Sequence, residues 1–122
     1  MIKGIGTDII EIDRIRKAVQ RDSFLQRVFT EGEISIYQEK GLNPQTLAGF
    51  FAAKEAFAKA LGTGFRGFSF RDVEVRTDNL GKPFLVLSEK LDLLSCVPSF
   101  RNIYVSISHS NQNAVAFVIL EE

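Results

Sequence analysis

Tryptophan is absent, and cysteine, methionine and histidine occur once each in 122 residues. A lone Cys96 excludes an internal disulfide and a thiolate metal cluster. Its neighbours Leu94 and Val97 mark it as a core residue. An excess of either charge is also missing: 15 Lys and Arg stand against 15 Asp and Glu. That balance argues against bulk attraction to nucleic acid or to a membrane surface. No apolar run approaches the length of a bilayer span. Met1-Ile2-Lys3-Gly4 lacks a signal-peptide core, so cytoplasmic residence is the expectation. Internal repeats and low-complexity tracts are lacking, and so are a P-loop and a dinucleotide-binding glycine motif.

The sequence does hold eleven Phe residues, which implies an aromatic-rich core. Its length suits a single domain over residues 1–122, able to bury roughly two-thirds of its unfolded surface. The most telling stretch runs from Phe50 to Leu61. Asn43-Pro44 supplies an N-cap and a first-turn proline, Gly62 and Gly64 supply the stop, and the residues between read as one long helix. A helix this apolar is normally buried, yet it carries Lys54, Glu55 and Lys59. Glu55 and Lys59, four apart, share a flank lined by Ala48 and Ala52. They are either an ordinary helix pair or the carboxylate and ammonium of a site for a divalent cation and a phosphate.

Met1 to Asp8 reads as a buried strand with bulk from Ile2 and Ile5, while Gly4 and Gly6 signal close backbone approach. Asp8 at its end is a turn residue or a metal ligand on a rigid strand. A helix is expected from about Ile10 to Arg21, with Arg14, Lys17 and Arg21 as a basic stripe. That stripe is a solvated face or a dock for an acidic protein. A helical turn over residues 23–28 should face Phe24, Leu25 and Val28 inward. Thr30 and Glu33 have capping-box spacing, so another helix begins near Glu31 and ends near Gly41. Strands are expected over residues 72–77 and 82–87, joined by Asp78-Asn79-Leu80-Gly81. Ser88 should cap a short helix reaching Cys96. Residues 103–109 and 114–120 form a last hairpin, the latter as a central strand. The expected fold class is α+β, an antiparallel sheet packed on one long helix.

Gly4-Ile5-Gly6-Thr7-Asp8, Phe51-Ala52-Ala53-Lys54-Glu55-Ala56-Phe57-Ala58-Lys59-Ala60, Gly81-Lys82-Pro83 and Val105-Ser106-Ile107-Ser108-His109 occur in that order. Together they resemble the blocks of the holo-[acyl-carrier-protein] synthases, the small single-repeat group of 4′-phosphopantetheinyl transferases. The resemblance covers essentially the whole chain. It implies transfer of 4′-phosphopantetheine from coenzyme A to a serine of apo acyl carrier protein, with adenosine 3′,5′-bisphosphate as the other product, in support of fatty acid biosynthesis. It implies Mg2+ held by Asp8 and Glu55, with Lys59 on the coenzyme A phosphates. It implies Pro83, Ser108 and His109 along the coenzyme A cleft, and Arg14 and Arg21 facing the carrier protein. A homotrimer with active sites between subunits is implied as well. Glu55, a metal-bound water and His109 are the candidate bases for the serine hydroxyl.

Two positions depart from the family pattern. Phe50 stands where many relatives carry Arg, and Leu80 where many carry Asn. Both changes remove polar groups from the nucleotide end, for which Arg66 or Arg71 is the expected substitute. The competing reading is a non-catalytic module that binds carrier protein or coenzyme A and needs the basic stripe without the acid pair.

Overall fold

The computed structural model describes residues 1–94 and 97–122. The expectations that Cys96 is a core residue and that a short helix reaches it lie outside the described residues. Strand β1 (Ile2–Glu11) leads into helices α1 (Ile12–Ala18), α2 (Asp22–Val28), α3 (Glu31–Glu39) and α4 (Pro44–Leu61). The hairpin β2 (Val73–Thr77) and β3 (Pro83–Leu87) follows, then β4 (Asn102–His109) and β5 (Asn113–Glu121). Single 3-10 turns occupy Phe70–Asp72 and Glu89–Leu93.

The long helix forms where its punctuation places it. The Asn43 side chain accepts the Gln45 N–H, Pro44 opens the first turn, and Gly62 closes the last at φ 82°. Thr30 and Glu33 form the expected capping box on α3. Twelve of the 18 residues of α4 are buried, Lys54 among them. A helix apolar nearly all round is thereby wrapped on nearly all sides.

Strand β1 lies directly on α4. A Cβ built on Gly4 would stand 2.0 Å from the Ala60 carbonyl oxygen, and one on Gly6 1.9 Å from that of Ala56. Two strand residues advance about 6.6 Å and one helix turn about 5.4 Å, so the pairs Gly4–Ala60 and Gly6–Ala56 describe a strand running antiparallel to the helix. Continuing that step carries Asp8 to the turn that holds Glu55. Gly6→Ala is therefore expected to cost about 1–3 kcal/mol or more, because the obstacle is backbone rather than a side chain that can swing away. It should also lower transfer activity by displacing Asp8. A urea melt paired with a rate assay checks both, and an unchanged midpoint would contradict the contact.

The strands form two sheets, one of order β1-β5-β4 and the separate pair β2-β3, all antiparallel. The single sheet expected from the sequence is thus divided, although the α+β class and the central place of β5 hold. Strand β1 also extends three residues beyond Asp8, because Ile9, Ile10 and Glu11 pair with Val115, Ala114 and Asn113. Helix α1 is correspondingly short, and Arg21 is the N-cap of α2 rather than part of one basic helix. Ile2 and Ile5, expected to be buried, are each 55% exposed. They lie on the face of β1 turned away from α4. Ser88 does not cap the following turn; its hydroxyl donates to Asp72 at 2.7 Å.

Candidate active site

Gly4, Gly6, Asp8 and Ile10 alternate onto the helix-facing side of β1, and this alternation aims the Asp8 carboxylate at α4. Lys59 leans toward the helix N-terminus, as helical side chains do. Its ammonium donates to Asp8 Oδ1 and to the Thr7 carbonyl, each at 3.0 Å. Asp8 is mostly enclosed, its side chain 15% exposed, whereas Lys59 is 55% exposed. The lysine therefore ties strand to helix while presenting charge to solvent. Its ion-pair partner is Asp8 rather than Glu55, so the ordinary i,i+4 reading of Glu55 and Lys59 does not describe the contact. Burial, followed by the negative charge of Asp8, pushes the Glu55 carboxyl above its usual range; Lys59 opposes both.

Asp8, Glu55 and Lys59 thus converge, as expected from the sequence. Among the described residues no third Asp, Glu, His or Cys joins them. Two neighbouring carboxylates facing one ammonium are oxygen donors short of positive charge. That set fits a hard cation such as Mg2+, which is commonly held by one or two carboxylates with water and substrate phosphate completing the shell.

A cleft of about 290 Å³ opens on another side of α4, between Thr46, Phe50, Lys40, Gly81, Pro83 and His109. Pro83 and His109 therefore meet, as expected. Ser108 does not join them: β4 alternates, so Ile107 and His109 face the cleft while Ser108 is exposed beside Val115 on the other sheet face. Phe50 is a buried apolar wall, and Leu80 at the hairpin tip is 95% exposed. Neither Arg66 nor Arg71 lines the cleft; Lys40 does. Arg71 instead faces Thr30, Glu74 and Arg76 on the outer side of the hairpin. Lys40 was missed because it lies at the end of α3, with no motif around it.

A second groove, of about 390 Å³, is lined by Arg14, Lys17, Arg21, Phe24 and Phe51. Arg14 and Arg21 share it despite lying on different helices. Ile10 belongs to it too, two residues beyond Asp8 on the same face of β1, and Phe51 is one helical turn before Glu55. The basic groove accordingly abuts the acid pair.

The sequence profile of the 4′-phosphopantetheinyl transferase superfamily matches residues 4–118, and the chain belongs to that superfamily. Within it, the likeness is to the holo-[acyl-carrier-protein] synthases. That of Clostridium botulinum (strain Alaska E43 / Type E3) is 52% identical, over 99% of this chain and 98% of its own. The crystal structure of the Neisseria meningitidis enzyme superposes with a TM-score of 0.90 at 38% identity, covering all of both chains. The Bacillus anthracis synthase, solved in complex with coenzyme A (3′,5′-ADP), gives 0.82 at 44% identity over 99% of this chain and 97% of its own. These full-length likenesses set the chain among the holo-[acyl-carrier-protein] synthases.

Proposed function

We propose that the protein transfers 4′-phosphopantetheine from coenzyme A to a serine of apo acyl carrier protein, releasing adenosine 3′,5′-bisphosphate. The observation that carries this is the meeting of Asp8, Glu55 and Lys59 where β1 crosses α4. Glu55 is the base: its carboxylate lies beside Asp8 and Lys59, one helical turn after Phe51 of the basic groove, within reach of a serine presented there. The serine oxygen bonds to the β-phosphorus, its proton passes to Glu55, and the bond from that phosphorus to the bridging oxygen breaks. Adenosine 3′,5′-bisphosphate leaves with that oxygen. Lys59 supplies fixed positive charge toward the pyrophosphate, already oriented by Asp8 and the Thr7 carbonyl. Asp8 and Glu55 would hold Mg2+, which when bound withdraws charge from the pyrophosphate oxygens.

The cleft between Phe50, Lys40, Pro83 and His109 is assigned to the nucleotide end of coenzyme A, with Lys40 as the phosphate-facing cation. Among the described residues its lining includes none of Asp8, Glu55 and Lys59. Ile5, Ile9, Tyr104, Val115 and Phe117 meanwhile expose a contiguous apolar face on the three-stranded sheet. Both facts favour a homotrimer in which a neighbour's sheet covers that face and one subunit's cleft meets another's acid pair. Cytoplasmic residence agrees with the substrates; no helix among the described residues is long and apolar enough to cross a membrane.

Incubation with apo carrier protein, coenzyme A and Mg2+, followed by intact mass, tests the reaction. The gain of one phosphopantetheine, dependent on Mg2+, is expected. Binding of either substrate without mass gain would favour the non-catalytic module instead. The Arg14 groove gives a separate expectation. Arg14→Ala should raise KM for the carrier protein about fivefold, the effect of roughly 1 kcal/mol from one rim charge, with KM for coenzyme A unchanged. The effect should shrink as salt rises. An equal rise for both substrates would contradict the docking assignment.

A further inference from the structure

Glu33 and Lys54 are the only buried charged side chains among the described residues, each fully enclosed, and the transfer chemistry uses neither. Their charges meet at 2.8 Å. Lys54 also donates to the Phe70 carbonyl at 2.8 Å and to that of Val73 at 2.6 Å. Glu33 accepts from the Thr30 N–H at 2.9 Å and the Val75 N–H at 2.7 Å. Every bond the pair makes outside itself is to backbone, and together those bonds join α3, α4 and the start of β2.

These anchors are also one step from the walls of the coenzyme A cleft. Ile36 lies three residues after Glu33 on α3, and Phe50 four residues before Lys54 on α4, so each shares a helix face with its charged partner. Thr77 lies two residues after Val75 on the same face of β2. Ile36, Phe50 and Thr77 all line the cleft, and β3 contributes Pro83 through its pairing with Thr77. Among the described residues the β2–β3 hairpin has no backbone ladder to the three-stranded sheet. Its distance from α4 is therefore set by side chains. A second tether lies further out, where the Thr30 hydroxyl donates to Glu74 at 2.5 Å.

We propose that Glu33 and Lys54 are positioning residues for coenzyme A binding, fixing the β2–β3 hairpin against α3 and α4 so that the cleft has the width its nucleotide needs. The proposal rests on the assignment of that cleft to coenzyme A. Packing alone would be served by two apolar residues, since replacing a buried ion pair with neutral groups of similar volume is often harmless to stability. What neutral groups do not reproduce is a joint whose three directed bonds, to the Phe70 and Val73 carbonyls and the Val75 N–H, reach from α3 and α4 to the backbone at and before β2.

The test is the double variant Glu33→Gln/Lys54→Met in the full-length protein, measured for thermal unfolding, steady-state kinetics and adenosine 3′,5′-bisphosphate affinity by calorimetry. A cooperative unfolding transition is expected, with KM for coenzyme A and Kd for adenosine 3′,5′-bisphosphate both raised about tenfold while kcat and KM for carrier protein stay within about threefold. A loosened core without a positioning role would lower the melting temperature and leave both nucleotide constants where they were, which would overturn the proposal. Should the double variant fail to fold, Glu74→Ala decides: it removes the outer tether from a partly exposed site, and a rise of about threefold in the same two constants is expected. Unchanged constants in that variant would overturn the proposal equally. Failure of the unmodified protein to transfer phosphopantetheine at all would instead sink the functional assignment on which this rests.

Discussion

Glu55→Gln is expected to lower transfer to carrier protein by about 10³-fold or more while leaving the protein folded. A positioned base contributes about 10²–10⁴-fold, and the substitution removes a cation ligand as well. The fold should tolerate the change because Gln has nearly the shape of Glu. The lost charge also relieves two unfavourable contributions that burial and Asp8 impose on the carboxylate. Stability of the metal-free variant should accordingly equal or exceed that of the unmodified protein, as at other sites where function is maintained against stability. Single-turnover mass assays and a urea melt give the two readouts. Activity within tenfold of the unmodified protein would contradict the assignment of Glu55, and loss of folding would contradict the electrostatic account.

Lys54→Ala should do the reverse, damaging the fold first. The substitution leaves Glu33 enclosed with no counter-charge and strips the Phe70 and Val73 carbonyls of their donor. Breaking a buried pair by removing one partner costs about 3–5 kcal/mol, against a total of about 5–15 kcal/mol for a domain. Burial pushes Glu33 up and Lys54 down from their usual ranges, and each charge resists the other's shift. With Lys54 gone, only two backbone N–H donors remain to support the Glu33 carboxylate. Denaturant unfolding at neutral pH measures the loss. A change below about 1 kcal/mol would mean that the pair contributes no more than an exposed one.

The adjacent residues Lys54 and Glu55 show what was legible in the sequence. Glu55 could be singled out because its partners are local or lie in a short motif: Lys59 is one turn away, and Gly4-Ile5-Gly6-Thr7-Asp8 advertises close approach through its glycines. The caps of α3 and α4 were legible for the same reason, since Thr30 with Glu33 and Asn43 with Pro44 act within four residues. Lys54 gave no such signal. Its partner lies 21 residues earlier on another helix, and its carbonyl acceptors lie on an irregular turn.

Non-local pairing also decided what was misread. Residues 9–12 suit a helix start as well as a strand, and only β5 across the sheet settles the matter. The division into two sheets depends on which strands find each other, which no single segment encodes. The exposure of Ile2 and Ile5 follows from the same cause: β1 has one face on α4, and the other faces outward in a single chain. The period of two in β4 places Ser108 on the sheet face opposite His109, so within one chain only His109 of the two lines this cleft.

The claim beneath the transfer mechanism is that β1 and α4 bring Asp8 and Glu55 to one shared cation. Electron paramagnetic resonance of Mn2+, which shares the oxygen-ligand preference of Mg2+, measures this directly in the presence of coenzyme A. One bound Mn2+ per active site is expected for the unmodified protein, with binding lost alike in Asp8→Asn and Glu55→Gln. Full Mn2+ binding in either variant would contradict it.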